Sequence, residues 1–167
     1  MTNRPFPAHS LRLFILLLAS MCIVILTALA FEHFGGYQPC KLCLQQRQPW
    51  YLGIPIMMIA TIGLFLHWPQ WLVRSLIVIV TIILIYSVFL AVRHSGVEWG
   101  WWEGPSDCGA VDTEIATDTD DFLKQLEATV PPSCNDAALR VLGLSFAGWN
   151  AIVSLLLGFL AARIAFN

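Results

Sequence analysis

Leu13–Phe31 reads LFILLLASMCIVILTALAF, nineteen residues without a charge. A helix needs roughly 17–25 apolar residues to cross a bilayer. Inside hydrocarbon the backbone must satisfy its own hydrogen bonds, which selects a helix for such a stretch. Three further stretches have the same character: Pro49–Leu66, Ser75–Val92 and Leu142–Ala162. The second is the weakest, because Pro49, Gly53, Pro55 and Gly63 interrupt it, although neighbouring helices allow such breakers in a membrane. The expectation is an all-α, four-helix transmembrane bundle forming a single integral membrane domain over 1–167. Composition agrees. Hydrophobic residues make up 57% of the chain and charged residues 12%, where soluble domains carry about 25% charged residues. A net charge of -2 leaves no basic surface for nucleic acid.

Arg4 and Arg12 precede the first stretch, and Ala28-Leu29-Ala30 resembles a cleavage site. A secretory apolar region is only about 7–15 residues long, so the first stretch reads as a retained helix. Four spans put both termini on one side and the loops 32–48 and 93–140 together on the other. Arg4, Arg12, Arg74 and Arg163 fall with the termini, the remaining five Lys and Arg with the loops. All eleven acidic residues lie on the loop side, but acidic charge contributes little to orientation. The short His67–Gln70 turn and the sparse bases of the long loop favour cytoplasmic termini.

Trp68, Trp71, Trp99, Trp101 and Trp102 cluster near span ends, as interfacial aromatics do. In the long loop, Thr119–Thr129 reads as a short amphipathic helix with Phe122, Leu123 and Leu126 on one face. That face rests either on the membrane surface or within the loop.

Cys22 lies mid-span, where a lone cysteine behaves as a small hydrophobe. Cys40, Cys43, Cys108 and Cys134 all fall in the two loops on one side. Disulfides persist in oxidising compartments such as the bacterial periplasm, so the loops are expected to face one. Cys40-Lys41-Leu42-Cys43 is a Cys-x-x-Cys motif, shared by redox and zinc sites. Leu44 stands where haem attachment would need histidine. Structural zinc sites use closely spaced ligand pairs, and Cys108 and Cys134 are far apart, so no metal is expected. Inert disulfides and a zinc site remain the non-catalytic alternatives.

Pro39 allows a helix to begin near Cys40, which would put the pair on its first turn. Helix N-termini and nearby cations depress thiol pKa values, and the thiolate is the reactive form. Arg47, four residues beyond Cys43, is a candidate cation on the same face; the alternative for it is an interfacial arginine that snorkels. A dithiol at the membrane boundary suits exchange with a lipid-soluble quinone, since both are two-electron couples. Cys108, between Gly104-Pro105-Ser106-Asp107 and Gly109, sits in a setting open to another protein's thiolate, as exchange through a mixed disulfide requires. The two pairs then make a relay, from protein thiols to Cys108–Cys134, to Cys40–Cys43, to quinone.

With four spans, two loop pairs and the run Cys40-Lys41-Leu42-Cys43-Leu44-Gln45-Gln46-Arg47, the chain resembles the DsbB family of bacterial disulfide-bond formation proteins. The resemblance covers nearly the whole sequence. It implies an inner-membrane thiol:quinone oxidoreductase that reoxidises a DsbA-like periplasmic thiol oxidase and reduces ubiquinone or menaquinone from the membrane pool. By it, Cys43 is the thiolate that meets the quinone and Cys40 exchanges with the other loop. Cys108 forms the mixed disulfide with the DsbA-like protein, and Cys134 completes that pair. Arg47 matches the arginine associated with quinone binding, and His94 resembles a histidine near the quinone site. A DsbI-like relative dedicated to one substrate is the rival within the same chemistry. It is established that DsbA, DsbB and quinone, rather than a thiol buffer, keep the bacterial periplasm oxidising.

Overall fold

The structure is a computed structural model that describes Phe6, residues 10–104 and residues 139–166. Cys108, Cys134 and the expected amphipathic helix Thr119–Thr129 lie outside the described residues. Four helices are long and apolar enough to cross a membrane: α1 (Ser10–His33), α2 (Lys41–Phe65), α3 (Gln70–Glu98) and α4 (Phe146–Phe166). A two-residue hairpin, β1 (Arg140–Val141) and β2 (Leu144–Ser145), precedes α4.

Each helix is apolar around its circumference and buries only one stripe. In α1 that stripe is Phe14, Leu17, Met21 and Ile25, spaced by the alternating three and four residues that keep side chains on one face. Ile15, Leu16, Ile23 and Leu26 point outward and are exposed. Such a surface is unfavourable in water and suited to lipid. The buried stripe meets Trp50 and Met57 of α2, Ile77 and Leu84 of α3, and Ala161 of α4 in one core. Helix α3 packs against both α2 and α4, and α1 lies chiefly on α2 with a lighter contact to α4. Small residues admit the close approaches. A Cβ on Gly53 would come within 2.9 Å of the Met21 side chain, and one on Gly96 would overlap the Trp102 ring at 2.1 Å.

The helices extend beyond the uncharged stretches. Helix α2 starts at Lys41, as Pro39 and the motif predict and ahead of the uncharged stretch at Pro49, because Cys40 is its N-cap and accepts a hydrogen bond from the Cys43 backbone N–H at 3.3 Å. Pro49 and Pro55 lie inside it. Helix α3 has 29 residues, roughly 43 Å at about 1.5 Å per residue, more than the hydrocarbon core of about 30 Å. Helix α4 starts at Phe146 rather than Leu142. Leu142 and Gly143 both have positive φ and form the two-residue turn of the hairpin, in which Arg140 pairs with Ser145. Ser145 then caps the helix, its Oγ accepting from the Gly148 N–H at 3.2 Å. The Trp149 indole donates to the Val141 carbonyl at 3.0 Å and holds the hairpin against α4.

At the opposite end, Arg74 is buried. It donates to the Ala165 carbonyl in the last turn of α4 at 2.7 Å and stacks 4.7 Å from the Phe6 ring centroid. A cation at a helix C-terminus satisfies free carbonyls and complements the dipole.

Candidate functional site

The end of the bundle that carries the Cys-x-x-Cys motif joins the C-termini of α1 and α3 to the N-termini of α2 and α4. Cys40 is buried against Leu42 and Val97 of α3, and Cys43 packs on the same cluster. Capping turns the Cys40 sulfur back over the first turn of α2, 3.0 Å from the Cys43 sulfur. His94, buried in the last turns of α3, places Nε2 3.7 Å from the Cys40 sulfur and 3.7 Å from Glu98 Oε1.

This setting favours ionisation of one thiol. The Cys43 side chain, hydrogen-bonded to Cys40, holds the Cys40 pKa down to about 4 from an ordinary 9.0; burial opposes this, and His94 and the Cys43 N–H reinforce it. The acidic cysteine of the pair is therefore the one outside the helix. A thiolate stabilised in the dithiol form makes the corresponding disulfide a stronger oxidant.

Between α1, α2 and α4 lies a cavity of about 290 Å³. Phe31, Trp50 and Phe146 supply apolar walls; Cys43, Arg47, Gln46 and Asn150 lie on its polar side. The Phe31 and Phe146 rings meet across α1 and α4 with centroids 4.9 Å apart. Arg47 is one turn beyond Cys43, as the spacing predicts, and its guanidinium pairs with the Glu32 carboxylate at the end of α1. Cys40 and His94 do not line the cavity. Of the residues singled out by sequence, Cys43 and Arg47 thus face the cavity, whereas His94 stands behind Cys40.

A chain of side-chain hydrogen bonds that the sequence reading missed runs through the same region. The Trp50 indole donates to Asn150 Oδ1 at 3.2 Å, Asn150 Nδ2 donates to Gln46 Oε1 at 2.6 Å, and Gln46 Nε2 meets His94 Nδ1. Amides in an otherwise apolar span were the available signal, since polar groups there must find partners. Which groups they reach could not be read, because Gln46 and Asn150 are 104 positions apart.

The family of Disulfide bond formation protein DsbB matches residues 10–164. The chain belongs to the DsbB family. Among similar proteins, "Uncharacterized protein RP370" of Rickettsia prowazekii (strain Madrid E) is 26% identical over 144 residues, covering 86% of this chain and 80% of the relative. "Disulfide bond formation protein B" of Acinetobacter baylyi (strain ATCC 33305 / BD413 / ADP1) is 37% identical over 82 residues, 48% of this chain and 45% of that protein. No solved structure matches significantly. As a DsbB family member with four spanning helices, the protein is a multi-pass membrane protein of disulfide-bond formation.

The sulfurs of Cys40 and Cys43 and a ring nitrogen of His94 lie within 4.8 Å of one another, enough for three metal ligands. The hydrogen-bond polarity argues against that use. Gln46 Nε2, an amide nitrogen that only donates, faces His94 Nδ1, so a metal on Nε2 would require the neutral ring's proton on Nδ1, opposed to that donor. A ligating nitrogen must be free of a proton.

Proposed function

We propose that this DsbB family member is a thiol:quinone oxidoreductase that reoxidises a DsbA-like thiol oxidase and passes the electrons to a membrane quinone. The observation that carries this reading is that Cys43 forms part of the cavity wall while Cys40, one turn away, lies outside it. The aromatic walls suit a flat apolar ring, and the polar side, with Arg47, suits its carbonyl edge. A quinone bound there supplies a two-electron, two-proton acceptor.

The chain's own residues then divide the work. Cys43 would meet a quinone held in the cavity, and Arg47, oriented by Glu32, would hold its polar edge. Oxidation of the pair would restore the Cys40–Cys43 disulfide, with the dithiol's two electrons and two protons going to the quinone and Cys40, the more acidic thiol, supplying the second sulfur of the bond. Cys108 and Cys134 deliver electrons from the partner, with Cys108 forming the mixed disulfide. The proposed setting is the bacterial inner membrane, with both termini cytoplasmic and the cysteine loops periplasmic.

The test is quinone reduction by the purified protein supplied with a reduced DsbA-like protein, beside Cys40→Ser and Cys108→Ser variants. Turnover lost in both variants supports the two-pair relay. Folded protein that reduces no quinone with any dithiol partner overturns it in favour of inert disulfides. Turnover with one dithiol substrate and not with a general DsbA-like oxidase assigns the dedicated, DsbI-like role.

A further inference from the structure

The hydrogen-bond chain from α4 to Cys40 has a direction, and Trp50 sets it. An indole nitrogen only donates, so the atom of Asn150 facing Trp50 must be the acceptor Oδ1. The Ser154 hydroxyl also donates to that oxygen, at 3.3 Å, and in turn meets the Ser87 hydroxyl at 3.0 Å. Asn150 Nδ2 is left to face Gln46, which fixes Gln46 Oε1 toward Asn150 and Gln46 Nε2 toward the His94 ring. An amide nitrogen does not accept, so His94 Nδ1 must be the acceptor of that bond. The proton of neutral His94 therefore sits on Nε2, 3.7 Å from the Cys40 sulfur. No amide in the chain can flip without setting two donors against each other.

We propose that Gln46 and Asn150 are positioning residues for sulfur exchange at Cys40: oriented by Trp50, they hold His94 as the Nε2–H tautomer with its ring proton aimed at the Cys40 sulfur. What that exchange serves rests on the thiol:quinone reading above. In it, an incoming thiolate attacks the Cys40 sulfur, the Cys40–Cys43 bond breaks, and Cys43 leaves with the electron pair. The second incoming thiolate then attacks its own partner in the mixed disulfide, and Cys40 leaves as a thiolate. The incoming dithiol loses two electrons and the Cys40–Cys43 pair gains them. The two protons shed by the incoming thiols are matched by two taken up when the electrons pass to quinone. At the second displacement the His94 Nε2–H stabilises the charge that arrives on Cys40. Cys40, Cys43 and Glu98 are the titratable groups facing His94, and none of them can fix its tautomer from the Nδ1 side. Gln46 alone reaches that nitrogen among the described residues.

The experiment uses the full-length reduced protein labelled with ¹⁵N-histidine, with His94 assigned by the signal missing from His94→Phe. At neutral pH the wild-type spectrum should show Nδ1 unprotonated and Nε2 protonated. Gln46→Leu and Asn150→Leu should convert this to a mixture of tautomers. In the same variants, the midpoint of Cys40 alkylation against pH, followed by site-resolved mass spectrometry, should move up by about one unit. That is about a tenfold loss of thiolate at any pH below it. Thr61→Val, which removes a hydroxyl bonded to the Met57 carbonyl, should leave both readouts in place. A wild-type Nδ1–H tautomer overturns the proposal, and so do an unchanged tautomer and midpoint in both variants. The wild-type spectrum decides the polarity even if a variant does not fold. Correct tautomer shifts in a protein that reduces no quinone would uphold the positioning and remove the proposed function.

Discussion

Arg47, one turn beyond Cys43, is paired with the Glu32 carboxylate of α1 rather than with either sulfur. The pair joins α1 to α2 at the cavity and fixes the guanidinium plane on its polar side. A hydrogen bond to a charged group contributes about 1.5–3 kcal/mol. Arg47→Ala should therefore raise the quinone KM by about ten- to hundredfold and leave the KM for the dithiol partner within about twofold. Steady-state titration of each substrate checks this, and equal effects on both would reduce Arg47 to an anchor between helices.

Glu32→Gln separates orientation from charge. It keeps the shape and removes the carboxylate that holds Arg47, so the guanidinium stays but loses its fixed direction. A quinone KM increase smaller than that of Arg47→Ala, by at least about threefold, is expected from losing a partly exposed ion pair. The same titration tests it; an effect equal to that of Arg47→Ala would mean that the pair acts as a unit.

Cys40 and Cys43 should differ in their response to pH. With Cys43 hydrogen-bonded to it and its pKa held down to about 4, reduced Cys40 is a thiolate throughout the neutral range. Its alkylation rate should be flat from about pH 6 upward and fall only as pH drops toward the folded pKa. The linked stability has the same sign. A depressed acid favours the folded dithiol protein fully above the unfolded value of 9.0, and this contribution disappears as pH falls through about 4. An alkylation midpoint near 9 would refute the assignment of Cys40 as the acidic sulfur.

Cys43→Ser should abolish quinone reduction, because the sulfur it removes is the one in the cavity wall. Cys134→Ser should instead accumulate a mixed disulfide with the DsbA-like partner through Cys108, visible on a non-reducing gel. Finding the partner on Cys40 would reverse the order of the relay.

Gly96 tests the fold near the site. Any Cβ there overlaps the Trp102 ring, whose indole donates to the Arg93 carbonyl at 2.8 Å. Gly96→Ala should displace Trp102 and lose about 1 kcal/mol for that hydrogen bond, seen as a lower Tm and altered tryptophan fluorescence. An unchanged spectrum would show that the ring is not seated there.

The four spans were legible because a charge-free run of bilayer length has few other interpretations. The burial of the first turns of α2 was not, because Gln45–Gln48 stands outside the charge-free stretch. Gln46 is in fact buried, and its polarity is directed at His94 and Asn150 rather than at water. Similarly, Leu142 reads as the start of a span, yet it occupies a turn with positive φ that apolar content cannot reveal. The placing of Cys40 and Cys43 at a helix start followed from Pro39 and the motif. Glu32 could not be read as a site residue, and Asn150 only as a polar group in need of a partner, since their importance arises from contacts between distant segments and not from any local spacing.

Cys40 caps α2 from outside, and Cys43 sits one turn inward in the wall of the cavity. A disulfide between them spans a boundary within a single helical turn. On the proposed function, a reductant dissolved in water and an oxidant dissolved in hydrocarbon would never have to share a solvent, because each would reach a different end of the same bond. Electrons would then cross where neither reactant does, and a small aqueous thiol that cannot uncover the buried Cys40 would be shut out of the circuit.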